Sequence, residues 1–168
     1  MKITIKGPPL SIYDGGLFDV GINYPKEYPM QPPKVVFSTP IWNCNISYTD
    51  GAVCVETLQK DWTMTTRIDN IIHSLYTLML CPNPDSAFHS YIGAQFINNK
   101  DLYDQTARYW TSVYAGGTDK FPEFENKVSR VMDEGFTEKQ SVEKLSIFGW
   151  DVEKSIQMLI KELAESFS

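Results

Sequence analysis

The chain has 168 residues, of which 42% are hydrophobic, and a net charge of −6. This apolar content is enough for a packed core and argues against a disordered chain. The acidic balance argues against nucleic acid or an anionic membrane as the main partner, because both require basic patches that replace counterions. The sequence has no run of eighteen apolar residues and no secretory signal at its start, so we expect a cytoplasmic protein, with the nucleus open as a second compartment.

Strands are predicted in the first part of the chain. Residues 2–6 and 16–23 are rich in β-prone side chains with a Gly-Gly turn signal between them, which predicts an antiparallel hairpin. Four prolines predict a stiff extended loop at 24–33 that leads into a short strand at 35–37. Residues 40–65 show little periodicity, and an irregular connection of that length is usually functional. We therefore expect the active site there.

Helical spacing of apolar residues begins at Ile68 and ends before Pro82, and a second helix runs from about Lys100 to a Gly-Gly pair at 116–117. The remaining chain predicts three helices, at about 122–133, 138–147 and 151–164.

These elements predict an α+β fold in two domains. The first, at residues 1–115, is an antiparallel meander sheet with helices packed on it. A linker at 116–121 and a small three-helix bundle at 122–165 follow. The charge also shifts, since residues 116–168 carry 7 Lys/Arg against 11 Asp/Glu.

The chain contains three cysteines, at positions 44, 54 and 81, and two histidines. An odd number of cysteines without a CxxC pair predicts neither a disulfide framework nor a metal site. Free thiols are therefore expected, and one of them is a candidate nucleophile.

Six motifs of the first domain occur in the order and spacing of a known family. They are GPPLSIYDGGLFDV at 7–20, YPKEYPMQPPKVVF at 24–37, IWNCNISYTDGAVCVETL at 41–58, Trp62, PNPDSA at 82–87 and QTARYWTSVYA at 105–115. In these motifs the chain resembles the ubiquitin-conjugating enzymes. EGF at 134–136 and WDVEKSIQMLI at 150–160 are similar to a ubiquitin-associated domain, so the resemblance points to the two-domain type that builds degradation-signal ubiquitin chains.

The resemblance implies that Cys54, in GAVC, accepts ubiquitin as a thioester from the activating enzyme. A thiol suits this step, because a thiolate leaves readily when a lysine amine attacks. Asn45 then stabilises the oxyanion or holds the loop, and Asp85 orients and helps to deprotonate the lysine. Asn43 and Cys44 stand where the family has His and Pro, which puts the geometry of this loop in question.

Alternatives remain open for several of these residues. Asn45 and Asp85 could be a turn former and a turn cap without chemistry. Ser86 stands where the family often has a second aspartate, and it either weakens reactivity towards lysine or is a phosphorylation point. For Cys44, two further hypotheses are a disulfide with Cys54 and acceptance of ubiquitin on its own thiol.

Two loops are implied in ligase docking. They contribute Met30, after the Tyr-Pro pair, and Thr63, Met64 and Thr65, after Trp62. Both loops differ in detail from common members of the family. A flexible methionine can nevertheless fill an apolar pocket of a ligase.

Ubiquitin-associated domains bind ubiquitin through a Met-Gly-Phe loop and the end of the third helix. Gly135, Phe136, Met158 and Leu159 keep this pattern, whereas Glu134 replaces the methionine. Because a carboxylate is costly to desolvate against an apolar surface, we expect weakened or altered ubiquitin binding. A purely structural appendage is the alternative.

The predicted function is therefore ubiquitin transfer to lysine through a thioester on Cys54, with no metal and no organic cofactor. The expected partners are ubiquitin, the activating enzyme, a ligase and protein substrates. The alternative is a non-catalytic ubiquitin-binding adaptor on the same fold, which Asn43, Cys44 and Ser86 suggest and the retention of Cys54 opposes.

Members of the family begin with an amphipathic helix and a first strand, whereas only residues 1–6 precede Gly7 here. We therefore expect residues 2–6 to lie at an exposed sheet edge, where Lys2 and Lys6 discourage self-pairing. Because the family binds the activating enzyme through that helix, we also expect charging to be slow or absent.

Overall fold

The computed structural model of the chain describes residues 1–54 and 62–166. The last residues of the motif at 41–58 therefore lie outside the described residues. The chain divides into two compact units, Met1–Asp119 and Lys120–Ser168. In the described ranges, no helix is long and apolar enough to cross a membrane.

The first unit contains an antiparallel sheet in the order β1-β2-β3. Its strands are β1 (Lys2–Lys6), β2 (Leu17–Asn23) and β3 (Lys34–Phe37). Alternate residues of β2, namely Phe18, Val20 and Ile22, are fully buried, as expected for a strand with one face on the core. The predicted hairpin and the strand at 35–37 are confirmed. Among the described residues β1 pairs only with β2, so it lies at a sheet edge.

The first unit also contains helices. They are α1 (Ile68–Leu80), a one-turn 3₁₀ helix (Pro84–Ser86), α2 (Ser90–Asn98) and α3 (Lys100–Ala115). Helices α1 and α3 were predicted, and α3 ends at Gly116 in the left-handed conformation that favours glycine. Helix α2 was not predicted. Gly93 lies within α2 at a close contact, because a β-carbon there would lie 2.8 Å from the Ala87 side chain.

The irregular segment at 41–47 is buried in the core of the first unit, and every one of its residues is less than 3% exposed. Trp42 fixes it to the helices. Its indole N–H donates to the Gln95 side chain of α2 at 2.9 Å, and its ring lies 5.3 Å from that of Trp110 of α3. A segment without regular secondary structure is therefore held as firmly as a strand.

The second unit consists of three helices, α4 (Pro122–Met132), α5 (Glu138–Ile147) and α6 (Val152–Ser166). All three lie within a few residues of their predicted positions. The side chains of Thr137 and Gln140 cap the start of α5 reciprocally, as a capping box does. The rings of Phe124 and Trp150 stack with centroids 3.7 Å apart in the core of this unit.

Candidate active site

Cys54 lies at the end of a short extended segment that pairs with the buried segment at 41–47. An isolated bridge joins Ile46 to Val53, and the backbone N–H of Cys54 donates to the Asn45 carbonyl at 2.9 Å. Cys54 is half-buried. The backbone next to the thiol is therefore fixed, while the thiol keeps partial access to solvent.

The turn that precedes Cys54 depends on a glycine. Gly51 has φ +73°, and a β-carbon there would lie 1.8 Å from the carbonyl oxygen of Phe37. The same contact includes a hydrogen bond, since the Phe37 N–H donates to the Gly51 carbonyl at 2.8 Å. Only glycine fits this approach. The turn at the start of the GAVC motif is thus fixed against Phe37 of β3, and this contact sets the position of Cys54 three residues later.

The side chain of Asn45 is fully buried and makes three hydrogen bonds to the 82–87 loop. Its amide nitrogen donates to the carbonyls of Asn83 (2.8 Å) and Ser86 (3.0 Å), and its oxygen accepts from the Asn83 N–H at 2.8 Å. Both amide hydrogens are therefore in use. Of the two roles predicted for Asn45, this geometry favours holding the loop, because an oxyanion would have to displace one of these carbonyls.

Asp85 is exposed on the one-turn helix that Asn45 holds. Its N–H donates to the Asn83 side chain at 3.1 Å. The neighbouring Ser86 is half-buried, and its hydroxyl accepts from the Asn83 side chain at 3.4 Å. The structure thus brings Cys54, Asn45 and Asp85 into one hydrogen-bonded unit. Asn83, which the sequence analysis did not single out, is the junction of this unit.

Cys44 is fully buried. Its thiol lies 4.0 Å from the Ile92 carbonyl, and burial raises the pKa of Cys44 to about 11. A thiol without solvent access stays protonated near neutral pH and is a poor nucleophile. This burial argues against acceptance of ubiquitin by Cys44, and both Cys44 and Cys54 are free thiols in the structure. Within residues 1–54 and 62–166, no group of three His, Cys, Asp or Glu side chains could hold a metal ion.

The two loops predicted for ligase docking lie together. The indole N–H of Trp62 donates to the carbonyl of Pro29 at 3.0 Å, which joins the loop before Met30 to the loop that carries residues 63–65. Met30 is 72% exposed and Met64 67% exposed. The hydroxyls of Thr63 and Thr65 lie 3.0 Å apart in the second loop. Both methionines are thus exposed on linked loops.

In the second unit, four of the five residues of the predicted ubiquitin patch are accessible. Glu134 and Gly135 are exposed, and Phe136 and Met158 are half-buried. Leu159 is only 3% exposed and belongs to the core, which leaves little of its surface for the predicted contact with ubiquitin. The helical period gives the reason, because Leu159 lies on the same face of α6 as the buried Val152 and Ser155. The exposed apolar residues of α6 are Ile160 and Leu163.

Comparisons with known proteins agree with this geometry. Residues 1–111 match the family described as ubiquitin-conjugating enzyme. The chain is 37% identical over 159 residues to Ubiquitin-conjugating enzyme E2-22 kDa of Drosophila melanogaster, covering 95% of this chain and 80% of that protein. It is 35% identical over 160 residues to Ubiquitin-conjugating enzyme E2 K of Homo sapiens, again covering 95% and 80%.

A solved structure, the E2 domain of a Toxoplasma gondii ubiquitin conjugating enzyme, superposes with a TM-score of 0.64 at 34% identity, covering 68% of this chain and 79% of that one. The chain therefore belongs to the ubiquitin-conjugating enzymes, and its partners include ubiquitin, an activating enzyme and a ligase.

Proposed function

We propose that Cys54 carries ubiquitin as a thioester and that Asn45 and Asp85 prepare the transfer to lysine. The observation that carries this proposal is the hydrogen bond from the Cys54 N–H to the Asn45 carbonyl, because the Asn45 side chain in turn bonds to the loop that presents Asp85. The other two cysteines lack this setting. Cys44 is fully buried, and Cys81 is exposed at the end of α1.

Two steps follow from this arrangement. In the first, the Cys54 thiolate attacks the thioester carbonyl carbon of ubiquitin on the activating enzyme, whose own thiolate leaves. In the second, a lysine amine of a protein substrate or of ubiquitin attacks the new thioester, an isopeptide bond forms and the Cys54 thiolate leaves. The exposed carboxylate of Asp85 orients the lysine and accepts its proton, and Asn45 holds the loop that carries this carboxylate.

The first test is a charging assay. The full chain is incubated with activating enzyme, ATP and ubiquitin and analysed by gel electrophoresis without reductant. We expect a thiol-sensitive adduct that Cys54→Ala abolishes and that Cys81→Ala, the matched control, leaves intact. An adduct that persists in Cys54→Ala would contradict the assignment. No adduct on the unchanged chain, even with excess activating enzyme and long incubation to compensate for slow charging, would favour the non-catalytic adaptor.

We further propose that the linked loops carrying Met30 and Met64 form the ligase-binding surface. Two flexible apolar side chains, each more than two thirds exposed, suit insertion into a partner pocket. Their attachment through the Trp62–Pro29 hydrogen bond supports a single surface.

For the second unit we propose a ubiquitin-associated domain with altered affinity. Three helices and an exposed turn at Gly135, with φ +96°, support this reading. Phe136 and Met158 remain accessible, while the Glu134 carboxylate adds charge beside them. A surface of this kind disfavours an apolar partner until the carboxylate is removed.

A further inference from the structure

We propose that Tyr13 and Asn43 are positioning residues for ubiquitin transfer, joined in a buried hydrogen-bond chain that sets Asn45. The inference rests on the proposed function, because Asn45 bonds both to the backbone of Cys54 and to the 82–87 loop that carries Asp85. Asn43 and Cys44 stand where the resemblance to the family implies His and Pro. Hydrogen bonds made by the residues at these positions would explain how the segment around Asn45 keeps its conformation.

The chain of hydrogen bonds passes through both ends of the Asn43 amide. The side-chain oxygen of Asn43 accepts from the Asn45 N–H at 2.8 Å. Its nitrogen donates to the Tyr13 hydroxyl oxygen at 3.0 Å. The Tyr13 hydroxyl in turn donates to the Trp42 carbonyl at 2.8 Å. Tyr13, Trp42, Asn43 and Asn45 are all fully buried, so water does not compete for these bonds.

Tyr13 is itself held in place by a tight turn. The Gly7 N–H donates to the Gly16 carbonyl at 2.8 Å, which closes the turn at its base. A β-carbon on Gly7 would lie 1.8 Å from the Tyr13 carbonyl oxygen, so the two backbones are in contact. The Tyr13 N–H also donates to the Ser11 hydroxyl at 3.1 Å. The backbone of Tyr13 is therefore fixed, and its hydroxyl contacts Trp42 and Asn43 from this position.

The chemistry of the side chains explains why this chain can replace the family pair. An amide offers an acceptor and a donor on one planar group, and the Asn43 position requires one of each. Burial raises the pKa of Tyr13 well above its ordinary range, so the hydroxyl keeps its proton and remains a donor. Cys44 adds a second attachment, since its carbonyl accepts from the Phe88 N–H at 2.6 Å.

The test uses two substitutions in the full chain. Tyr13→Phe removes the hydroxyl and keeps the ring, and Asn43→Leu removes both hydrogen bonds at similar volume. The preformed thioester is discharged in parallel with free lysine and with dithiothreitol, and the ratio of the two rates is measured. Attack by the small thiol needs no positioned Asp85, so a role limited to global stability would leave this ratio unchanged.

We expect Tyr13→Phe to lower the lysine-to-dithiothreitol ratio about fivefold, because the Asn43 amide then loses one of its two hydrogen bonds. Asn43→Leu should lower it about 10²-fold, because the loop that carries Asp85 shifts. The double variant should match Asn43→Leu alone, since Tyr13 acts through Asn43. As a control, Thr111→Val removes a buried hydrogen bond to the Ala107 carbonyl (2.8 Å) in the same unit and should leave the ratio unchanged.

Two results obtained with the charged enzyme would overturn the inference and leave the proposed function standing. One is a wild-type ratio in Tyr13→Phe. The other is a double variant in which the two losses multiply, because residues that act separately contribute separately. If the enzyme is charged and both substitutions leave the rate of lysine discharge unchanged, the inference is contradicted and the proposed function is not. An unchanged chain that forms no thioester overturns the proposed function together with it.

Discussion

Replacing Asn45 with alanine tests the role of the active-site loop most directly. The substitution removes three hydrogen bonds, to the Asn83 N–H and to the carbonyls of Asn83 and Ser86. At about 1 kcal/mol for each bond, the substitution destabilises the native position of the 82–87 loop by about 3 kcal/mol. This corresponds to a shift of about 10²-fold in the population of that position. We therefore expect lysine discharge to fall about 10²-fold.

Charging should change much less, because the Cys54 N–H bonds to the backbone carbonyl of Asn45, which alanine also provides. The assay measures both steps on the same preparation: thioester formation with activating enzyme, then single-turnover discharge to free lysine. Equal losses in the two steps would show that the variant is misfolded. Discharge at the wild-type rate would refute the reasoning itself, since the loop would then not depend on these bonds.

A double-mutant cycle separates the two roles predicted for Asn45. If Asn45 acts by holding Asp85, then Asp85→Asn should cost little more in the Asn45→Ala background, because the carboxylate has already left its position. If Asn45 donates to the oxyanion, the two losses should multiply, because each group then acts on the transition state separately. The occupied amide hydrogens of Asn45 favour the first outcome.

Four further outcomes are expected. Cys54→Ala should abolish the thioester seen on a non-reducing gel, whereas an equal loss in Cys81→Ala would point to unfolding. Met30→Asp should reduce ligase-stimulated discharge about tenfold and leave unstimulated discharge unchanged, and a loss in both would exclude a docking role. Glu134→Met should tighten ubiquitin binding about tenfold in titrations of the full chain, and an unchanged affinity would show that ubiquitin does not contact this loop. Because burial raises the folded pKa of Cys44 to about 11 from an ordinary 9.0, its contribution to stability is complete below pH 9 and is lost as the pH rises towards 11. Thermal unfolding should therefore show a decline above pH 9 that is smaller in Cys44→Ala, by on the order of 2 kcal/mol.

The regular elements could be predicted because their sequences carry a clear period. Strand β2 alternates buried and exposed residues, and α1 has an apolar stripe of helical spacing. Helix α2 lacks such a signal, because five of the nine residues of SYIGAQFIN, namely one glycine, two isoleucines, one tyrosine and one phenylalanine, have modest or low helix propensity. Its helical form depends on tertiary contacts such as that between Gly93 and Ala87, which no local pattern contains.

The candidate site was predictable only where a motif carried it. Cys54 and Asn45 follow from their motifs, but the partners of the Asn45 side chain lie 38 and 41 residues further along the chain. Hydrogen bonds over such separations leave no trace in composition or spacing. Leu159 shows the opposite case. The resemblance placed it on the ubiquitin surface, whereas the helical period of α6 alone would have placed it in the core.

The departure at Asn43 and Cys44 is informative about what this position of the fold requires. Fully buried polar groups must be satisfied, so a residue next to Asn45 has to accept from its N–H. The same residue has to donate to the Tyr13 hydroxyl, which already donates to the Trp42 carbonyl. An acceptor and a donor held at the two ends of one planar group meet this requirement, and an amide supplies both. The constraint is therefore on hydrogen-bond direction in a buried site, and it does not demand a group that titrates near neutral pH.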